Sequence, residues 1–285
     1  MNPYRTLVAD YARCFREGKS HPLGGFLPPG KPALAPNAPK ALIFSPHPDD
    51  ECLIGGLPLR LLRESRMNVI NVAVTQGSNK ARQTERYHEL QAACGYLGFG
   101  LIQTRPGGLE KIGVQTRAQD AATWTQAVQI IAKILREQSP RVIFFPHEHD
   151  WNSSHIGTHF LVLDALQSLT ADFTCFLVET EYWGQMAAPN LMVESSEAEV
   201  SDLVTAASFH AGEMRRNPFH LLLPAWLQDN MRRGSELVGG QGEAAPDFCF
   251  ATLYHVRRWQ HGRVENVLAS GRKLPANETP ANLFA

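Results

Sequence analysis

Short apolar runs alternate along the chain with longer segments in which apolar residues recur at helical spacing. The short runs are apolar at nearly every position, which is typical of strands buried on both faces of a parallel sheet. Such runs predict strands over residues 41–45, 67–75, 101–104, 141–146 and 173–183. A more regularly alternating run predicts a late strand over residues 247–259.

The longer segments between these strands predict helices. Gly98 ends one of them and Pro140 closes another, because glycine and proline commonly terminate helices. The predicted helices cover residues 4–17, 51–64, 79–98, 116–138, 153–169, 196–215 and, with a proline interruption, 218–239. The alternation of strands and helices predicts an α/β fold with a mostly parallel sheet covered by helices on both faces.

The chain divides into three predicted parts. Residues 1–39 form an N-terminal arm, in which a helix is followed by a loop rich in proline and glycine. Residues 40–268 form one domain that contains the whole predicted sheet, a size that suits a chain of 285 residues. Residues 269–285 are polar and predict an irregular tail.

Composition narrows the class of protein. Hydrophobic residues make up 44% of the chain and charged residues 19%, as in a globular enzyme rather than a disordered chain. The net charge of −1 gives no general attraction for nucleic acid, and no apolar run approaches the ~20 residues of a membrane span. The N-terminus has no signal-peptide pattern and the five cysteines have no pairing pattern, so we expect a cytoplasmic protein with reduced thiols.

The sequence SPHPDDE, residues 45–51, directly follows the first predicted strand. Adjacent carboxylates repel one another unless a positive group lies between them. A helix N-cap would explain one of the acids, but not a histidine between two prolines followed by three acids. His47 and Asp50 are three residues apart, so a single turn can bring both side chains to one point. The cluster therefore indicates a metal site or a catalytic site, in which Glu51 could keep a capping role.

A second polar cluster, PHEHDWNSSHIGTH (residues 146–159), lies at the end of the strand predicted over residues 141–146. It contains four of the eleven histidines, and His155 and His159 share one helix face, as in zinc-binding helices. No glutamate follows His155, so the sequence lacks the HExxH protease motif. Because ligands bind beyond the carboxyl ends of strands in such sheets, both clusters are expected at the same rim.

A set of two histidines and one aspartate with an open position is what a catalytic zinc ion requires. Zn²⁺, or another divalent metal, would neutralise the adjacent carboxylates, polarise an acyl oxygen and lower the pKa of a bound water toward ~7. A carboxylate that does not bind the metal would act as a general base and pass the proton to a departing amine.

These residues carry a resemblance to a known family. SPHPDDE resembles the (A/S)-x-H-P-D-D-E signature of the PIG-L / LmbE-like zinc-dependent N-acetylglucosaminyl deacetylases. Residues 75–98 are similar to the family's second block, and LVTAASFHAGEM (203–214) resembles its late helix with a histidine. The resemblance covers about residues 40–215. It implies a single Rossmann-like domain with its metal site at the carboxyl ends of the strands, and removal of acetyl groups from an N-acetylglucosamine-type conjugate.

The resemblance also implies roles for individual residues. His47 and Asp50 would bind zinc, and Asp49 would be the general base. The third ligand is the last histidine of a family segment usually written H-P-D-H. It corresponds to His155 in NSSH (152–155), with His159 as the competing ligand.

The chain departs from the family at the first position of that segment. The family's histidine there helps to stabilise the oxyanion in some members, and Asn152 replaces it here. An asparagine can still donate a hydrogen bond to an oxyanion. Alternatively, His149 or His210 takes over this role.

Two arginines resemble residues on the substrate side of the family's site. Arg82 and Arg86 would bind substrate, although an Arg86–Glu89 ion pair along the helix is an equal alternative. The expected partner is a small amino-sugar conjugate. The apolar segment HLLLPAWL (220–227) contacts a second subunit of a homo-oligomer, forms a lid or, the favoured interpretation, lies in the core.

Two other functions stay open. One is an amidase or esterase with a non-sugar substrate. It would use a single metal ion, because a two-metal site needs more acids than the clusters offer. The other is a non-catalytic binding protein on a nucleotide-binding-like fold. The absence of a G-x-G-x-x-G or Walker pattern after any predicted strand argues against the latter.

Overall fold

The structure is a computed structural model that describes residues 2–285. In this part of the chain, one sheet contains nine strands: β1 (Lys40–Ser45), β2 (Asn68–Ala73), β3 (Gly100–Gln103), β4 (Val142–Pro146), β5 (Cys175–Thr180), β6 (Leu191–Glu194), β7 (Ala251–Gln260), β8 (Arg263–Asn266) and β9 (Arg272–Leu274). Their order is β3-β2-β1-β4-β5-β7-β6-β9, and β8 pairs with β7.

The helices lie between the strands, as the alternating pattern predicts. They are α1 (Pro3–Gly18), α2 (Asp50–Leu53), α3 (Leu57–Arg63), α4 (Gln83–Leu97), α5 (Val114–Gln119), α6 (Ala121–Gln138), α7 (Ser153–Gln167), α8 (Glu197–Ser208), α9 (Ala211–Arg216) and α10 (Leu223–Gly239). Short 3-10 turns cover Lys80–Arg82, Phe219–Leu221 and Pro280–Phe284. Within residues 2–285, none of the helices is both long and apolar enough to cross a membrane.

The order of the strands determines where a site can form. The neighbours from β3 to β5 all pair in parallel, which confirms the predicted mostly parallel sheet. From β1 the chain proceeds outward through β2 and β3, and it then returns to β4 on the other side of β1. A crevice forms beyond the carboxyl ends of strands where the strand order reverses in this way. The switch between β1 and β4 therefore lies where both polar clusters begin.

The central strand is buried on both faces. Ala41 and Ile43 of β1 pack in a cluster with apolar residues of α3, α4 and α8, whereas Leu42 packs with α6 and α7. This arrangement explains why β1 is apolar at nearly every position, because successive side chains enter opposite layers of the core. The predicted α/β class is confirmed.

Three predicted helices are each divided in two, and each break has a local cause. Between α2 and α3, Gly55 has φ 89°, and a Cβ atom there would lie 2.2 Å from Thr252 Oγ1. Between α5 and α6, Asp120 caps α6 by accepting a hydrogen bond from the Thr123 amide at 3.1 Å. Between α8 and α9, His210 leaves the helical conformation and becomes the N-cap residue of α9.

The prediction of an irregular tail over residues 269–285 is wrong in part. β9 pairs in parallel with β6, and Phe284 is buried in the core. Arg60, only 1% exposed, holds this segment by donating hydrogen bonds to the carbonyls of Pro275 and Ala276 at 3.2 and 3.4 Å. The sequence does not predict the strands β6, β8 and β9, which are three or four residues long. The limits of the arm and the domain stay predictions.

We expect Arg60→Met to lower the free energy of unfolding by about 2–3 kcal/mol, because buried carbonyl groups lose a charged donor. Urea unfolding would measure the change. Arg232→Met is the matched control, since Arg232 is exposed and pairs only along its own helix with Asp229. An Arg60→Met protein as stable as the control would show that the tail is held by its apolar contacts alone.

Candidate metal centre

The turn after β1 presents two donor groups on one side. The chain leaves the strand at Ser45 and enters α2 at Asp50. The His47 backbone amide donates a hydrogen bond of 2.8 Å to Asp50 Oδ2, which closes the turn. His47 Nδ1 lies 3.6 Å from the same oxygen. The three-residue spacing therefore brings both side chains to one point, as the sequence predicts.

The first turn of α7 supplies the third donor from across the switch point. His155 follows β4, the parallel neighbour of β1, and is completely buried. Its Nε2 lies 3.2 Å from His47 Nδ1 and 3.4 Å from Asp50 Oδ2. The two polar clusters thus meet at the carboxyl ends of adjacent strands, where the sequence places the metal site.

The donor set fits one divalent metal ion. Ligand distances of ~2.0–2.1 Å in a tetrahedral zinc site separate the donor atoms by about 3.3 Å. The donor atoms of His47, Asp50 and His155 are 3.2–3.6 Å apart. His47 keeps part of its side chain exposed and lines a large cavity, so the fourth side of the site faces open space.

Electrostatics prepare Asp50 to act as an ionised ligand. Burial alone would raise the pKa of Asp50, but the neighbouring His155 and His47 lower it on balance. Burial likewise disfavours the charged form of His155, yet the Asp50 and Asp150 carboxylates raise the pKa of His155 overall. His155 Nε2 must lose its proton to bind a metal, so the cation would take the place of that proton beside Asp50.

Asp150 orients the candidate ligand His155 from behind. Its Oδ2 lies 3.5 Å from His155 Nδ1 and accepts a hydrogen bond from the Trp183 amide at 3.1 Å. Its Oδ1 accepts one from the Asn152 amide at 2.8 Å. Burial favours a higher pKa for Asp150, but the contacts with His155 and the backbone amides lower it overall. A carboxylate at this position would orient His155 if it bound a metal, as carboxylates behind metal-binding histidines do in zinc proteins.

Asp49 points elsewhere than its neighbour Asp50. Its backbone has φ 117°, and its amide donates to Glu51 Oε2 at 3.0 Å. Burial and the charge of Asp50 raise the pKa of Asp49 well above its usual range. Arg86 offsets part of this effect, with its Nη2 atom 3.9 Å from Asp49 Oδ1. Asp49 is therefore a buried carboxyl group with a high proton affinity, next to the candidate metal ligands.

The remaining residues of the opening cluster form a buried pair. Glu51, completely buried, accepts a hydrogen bond of 2.7 Å from His210 Nε2. Burial opposes the charged form of His210, but Glu51 raises its pKa overall. Glu51 therefore does more than the capping role that the sequence leaves to it.

His159, the competing third ligand, faces a different set of partners. Its Nδ1 contacts the Pro146 carbonyl oxygen at 2.9 Å and lies 3.4 Å from Glu179 Oε1. Burial lowers the pKa of His159 to about 4. The structure brings His155, and not His159, to His47 and Asp50.

The other predicted site residues are placed as follows. Asn152 caps α7 by accepting a hydrogen bond of 2.8 Å from the Ser154 amide, and it lines the cavity. His149 is exposed beside Glu148. Neither Arg82 nor Arg86 belongs to the described lining of the cavity. Arg86 donates a hydrogen bond of 2.9 Å to the Pro48 carbonyl.

Sequence reasoning missed two residues of this centre. Asp150 lies in the histidine-rich cluster five residues before His155, and a carboxylate so near a candidate ligand could have suggested a role. Tyr182 packs edge-on against the His155 ring, with centroids 5.0 Å apart. The Tyr182 hydroxyl is buried without a hydrogen-bond partner among residues 2–285, and no sequence pattern around it indicates this position.

A cavity of about 970 Å³ opens from the centre. Besides His47 and Asn152, its walls carry hydroxyl, amide and charged side chains, among them Ser78, Lys80, Gln83 and Glu110. This volume is at the upper end of the ~300–1,000 Å³ that is usual for small-molecule sites.

Residues 42–166 match the model of the PIG-L family, described as GlcNAc-PI de-N-acetylase. The resemblance expected from the sequence is confirmed over these residues. His47, Asp50 and His155 lie inside the matched residues, whereas His210 lies outside them. Among curated proteins, none matches the chain significantly.

Several solved structures share the fold. GalB, the 4-carboxy-2-hydroxymuconate hydratase from Pseudomonas putida KT2440, is 15% identical with a TM-score of 0.57, covering 76% of this chain and 95% of its own. N,N'-diacetylchitobiose deacetylase from Pyrococcus horikoshii is 16% identical with a TM-score of 0.55, covering 79% and 85%. A deacetylase of teicoplanin biosynthesis is 18% identical with a TM-score of 0.55, covering 77% and 98%. At these identities the likeness shows the α/β fold alone.

The two candidate third ligands can be separated by metal content. We expect His155→Ala to lose most of the zinc that the wild-type chain binds, because one of three donors disappears. His159→Ala should keep it, because His159 contacts a backbone carbonyl instead. Elemental analysis after dialysis would measure the ratio of zinc to protein. Loss of zinc only in the His159 variant would overturn the ligand assignment.

Asp150→Asn should weaken metal binding about 10- to 100-fold, since the amide no longer orients and polarises His155 as a carboxylate does. Competition with a fluorescent chelator would measure the zinc dissociation constant. The exposed Glu148→Gln is the matched control, with no change expected. Equal affinity in both variants would mean that Asp150 only shapes the loop.

Proposed function

We propose that this chain with its PIG-L domain is a zinc-dependent N-deacetylase acting on an N-acetylglucosamine-type conjugate. The observation that carries the proposal is the convergence of His47, Asp50 and His155 beside a buried carboxyl group, Asp49. The family is named for the removal of acetyl groups from amide nitrogens, so the enzyme class is an amide-bond hydrolase.

His47, Asp50 and His155 would hold the metal. When bound there, Zn²⁺ supplies a Lewis acid for the acetyl oxygen and makes water easier to deprotonate. The two histidines would bind through Nδ1 of His47 and Nε2 of His155, the atoms that face one another. Asp150 would keep His155 oriented through its other ring nitrogen.

Asp49 would move the proton. As a carboxylate it accepts a proton from the attacking water, and as a carboxylic acid it protonates the departing amine. A carboxyl group does both best when its pKa lies near the working pH. Burial and the adjacent Asp50 shift the pKa of Asp49 in that direction, which supports Asp49 as the base and Asp50 as the ligand.

Asn152 is our first candidate for the oxyanion donor. It lines the cavity beside His47, and its side-chain oxygen is used as the helix cap. Its amide nitrogen carries the donor hydrogens that such a role requires. Substrate binding by Arg82 and Arg86 stays a prediction.

The size and the polarity of the cavity support a substrate larger than one sugar. Hydroxyl, amide and charged side chains along the walls suit a polyhydroxylated ligand. Because the fold also carries a hydratase, the fold alone does not decide the reaction. An amidase or esterase with a non-sugar substrate is the alternative. The cytoplasmic location and a homo-oligomeric state stay predictions.

The proposal is tested by acetate release. Purified protein with one equivalent of zinc should release acetate from N-acetylglucosamine conjugates, with N,N'-diacetylchitobiose as the first substrate to try. Asp49→Asn should lower kcat about 10²- to 10⁴-fold while zinc content stays unchanged. Glu148→Gln, an exposed acid near the same rim, is the matched control. No acetate from any conjugate, or full activity in Asp49→Asn, would contradict the proposal.

A further inference from the structure

Asp49 has an unusual backbone conformation. Within residues 2–285, the other non-glycine residues with positive φ are Arg66, Lys111, Ser139 and His261, at φ 44–56°. These values are in or near the ordinary left-handed helical region, whereas Asp49 has φ 117°. Such a conformation costs about 1–3 kcal/mol and persists only where surrounding contacts impose it.

Glu51 supplies one of these contacts. Its Oε2 accepts the Asp49 amide hydrogen at 3.0 Å. Its Oε1 accepts hydrogen bonds from His210 Nε2 at 2.7 Å and from the Cys52 thiol at 3.2 Å. A carboxylate buried this completely needs such donors, because it is otherwise costly to remove from water. The position of Glu51, and through it the Asp49 amide, therefore depends on His210.

His210 itself is held at a fixed point. It lies between α8 and α9, where its amide donates to the Ala207 carbonyl at 3.1 Å and its carbonyl accepts from the Met214 amide at 2.9 Å. Two residues later, the Gly212 amide donates to Glu89 Oε1 at 2.9 Å. The histidine is thus anchored to three helices, α8, α9 and α4.

The same face of α4 also holds the Asp49 loop. Arg86, one turn before Glu89, donates to the Pro48 carbonyl at 2.9 Å. Instead of pairing with each other, Arg86 contacts the Pro48 carbonyl just before Asp49, and Glu89 contacts the Gly212 amide just after His210. A closed ring of contacts therefore runs from Asp49 through Glu51 and His210 to α4, and back through Arg86.

The group Glu51, Cys52 and His210 could suggest a second metal site, but its geometry argues against one. His210 Nε2 and Glu51 Oε1 are separated by 2.7 Å, a hydrogen-bond distance, whereas two ligands of one zinc ion are about 3.3 Å apart. Burial raises the pKa of the Cys52 thiol, which disfavours the thiolate that binds metal.

A direct contact between His210 and substrate is also disfavoured. Its Nε2 is engaged by Glu51, and its Nδ1 is buried without a hydrogen-bond partner among residues 2–285. His210 is only 1% exposed and lies outside the described lining of the cavity. The expected role of His210 as an oxyanion donor therefore has less support than a role exerted through Glu51.

We propose that Glu51 and His210 form a positioning pair that holds Asp49 in its strained conformation, so that His210 acts on the reaction only through Asp49. This inference rests on the proposed function, in which Asp49 transfers the proton. Removing the pair should let Asp49 relax away from the reacting atoms. A displacement of about 1 Å can cost up to ~10²-fold in rate.

The kinetic test is a double-mutant cycle on the zinc-loaded protein. His210→Leu should lower kcat for an N-acetylated substrate about 10- to 100-fold, with KM and zinc content little changed. In an Asp49→Asn background the same substitution should have almost no further effect, because the two residues act as a unit. An equal loss of kcat in both backgrounds would overturn the proposal and favour a direct role for His210.

Conservative replacement gives a second criterion. His210→Gln places an N–H donor near the position of the histidine Nε2 and should recover most of kcat. His210→Asn is too short to reach Glu51 and should behave like His210→Leu, and it serves in its place if the leucine variant does not fold. His220→Gln, a change at another buried histidine that lies outside this ring of contacts, is the matched control. Equal activity of the Gln and Asn variants at position 210 would contradict the proposal.

Amide hydrogen exchange tests the inference without any substrate. In the zinc-loaded protein, exchange of the Asp49 amide should accelerate at least about tenfold in His210→Leu and return toward wild type in His210→Gln. The amides of β1 report that the fold is intact. Unchanged exchange at Asp49 overturns the positioning role. Faster exchange in a protein that releases no acetate supports the pair while the proposed function alone fails.

Discussion

Three consecutive carboxyl groups, Asp49, Asp50 and Glu51, are buried together at the end of the central strand. Buried carboxylates are tolerated only when each one is paired, hydrogen-bonded or protonated. The surrounding structure meets this constraint separately for each acid. Asp50 faces two histidines at a candidate metal site, Glu51 faces a third histidine, and Asp49 lies beside the Arg86 guanidinium.

The fold makes this division of labour possible because its partners come from distant parts of the chain. His155 arrives on the helix after β4, the parallel neighbour of β1. His210 arrives at the junction of α8 and α9 on the layer that covers α4. The strand switch between β1 and β4 leaves a crevice on one side, so the candidate ligand His47 lines the cavity while the Glu51–His210 pair lies in the interior.

Much of this arrangement can be predicted from sequence because it is local. The apolar run of β1, the turn that closes between His47 and Asp50, and the clustering of histidines after β4 all follow from spacing. The parallel order of neighbouring strands then predicts that the two clusters meet. The spacing leaves both His155 and His159 open, and the family resemblance favours His155. The structure adds that His155, and not His159, lies opposite His47 and Asp50.

Other features depend on contacts that no local pattern reveals. The break in the helix predicted over residues 51–64 depends on the approach of Gly55 to Thr252, about 200 residues away. The ordered tail is held by hydrogen bonds from Arg60, which the sequence alone would place on the surface of a helix. The Glu51–His210 contact joins residues separated by 159 positions, so Glu51 looks like a simple cap until the fold is known.

The central claim is that one metal ion lies among His47, Asp50 and His155, and that neither Asp49 nor Glu51 binds it. Anomalous X-ray diffraction from crystals grown with one equivalent of zinc, recorded on both sides of the zinc absorption edge, tests it most directly. The account predicts a single strong peak within bonding distance of His47 Nδ1, Asp50 Oδ2 and His155 Nε2. A peak bonded to Glu51, Cys52 and His210, or no peak in either place, would contradict it.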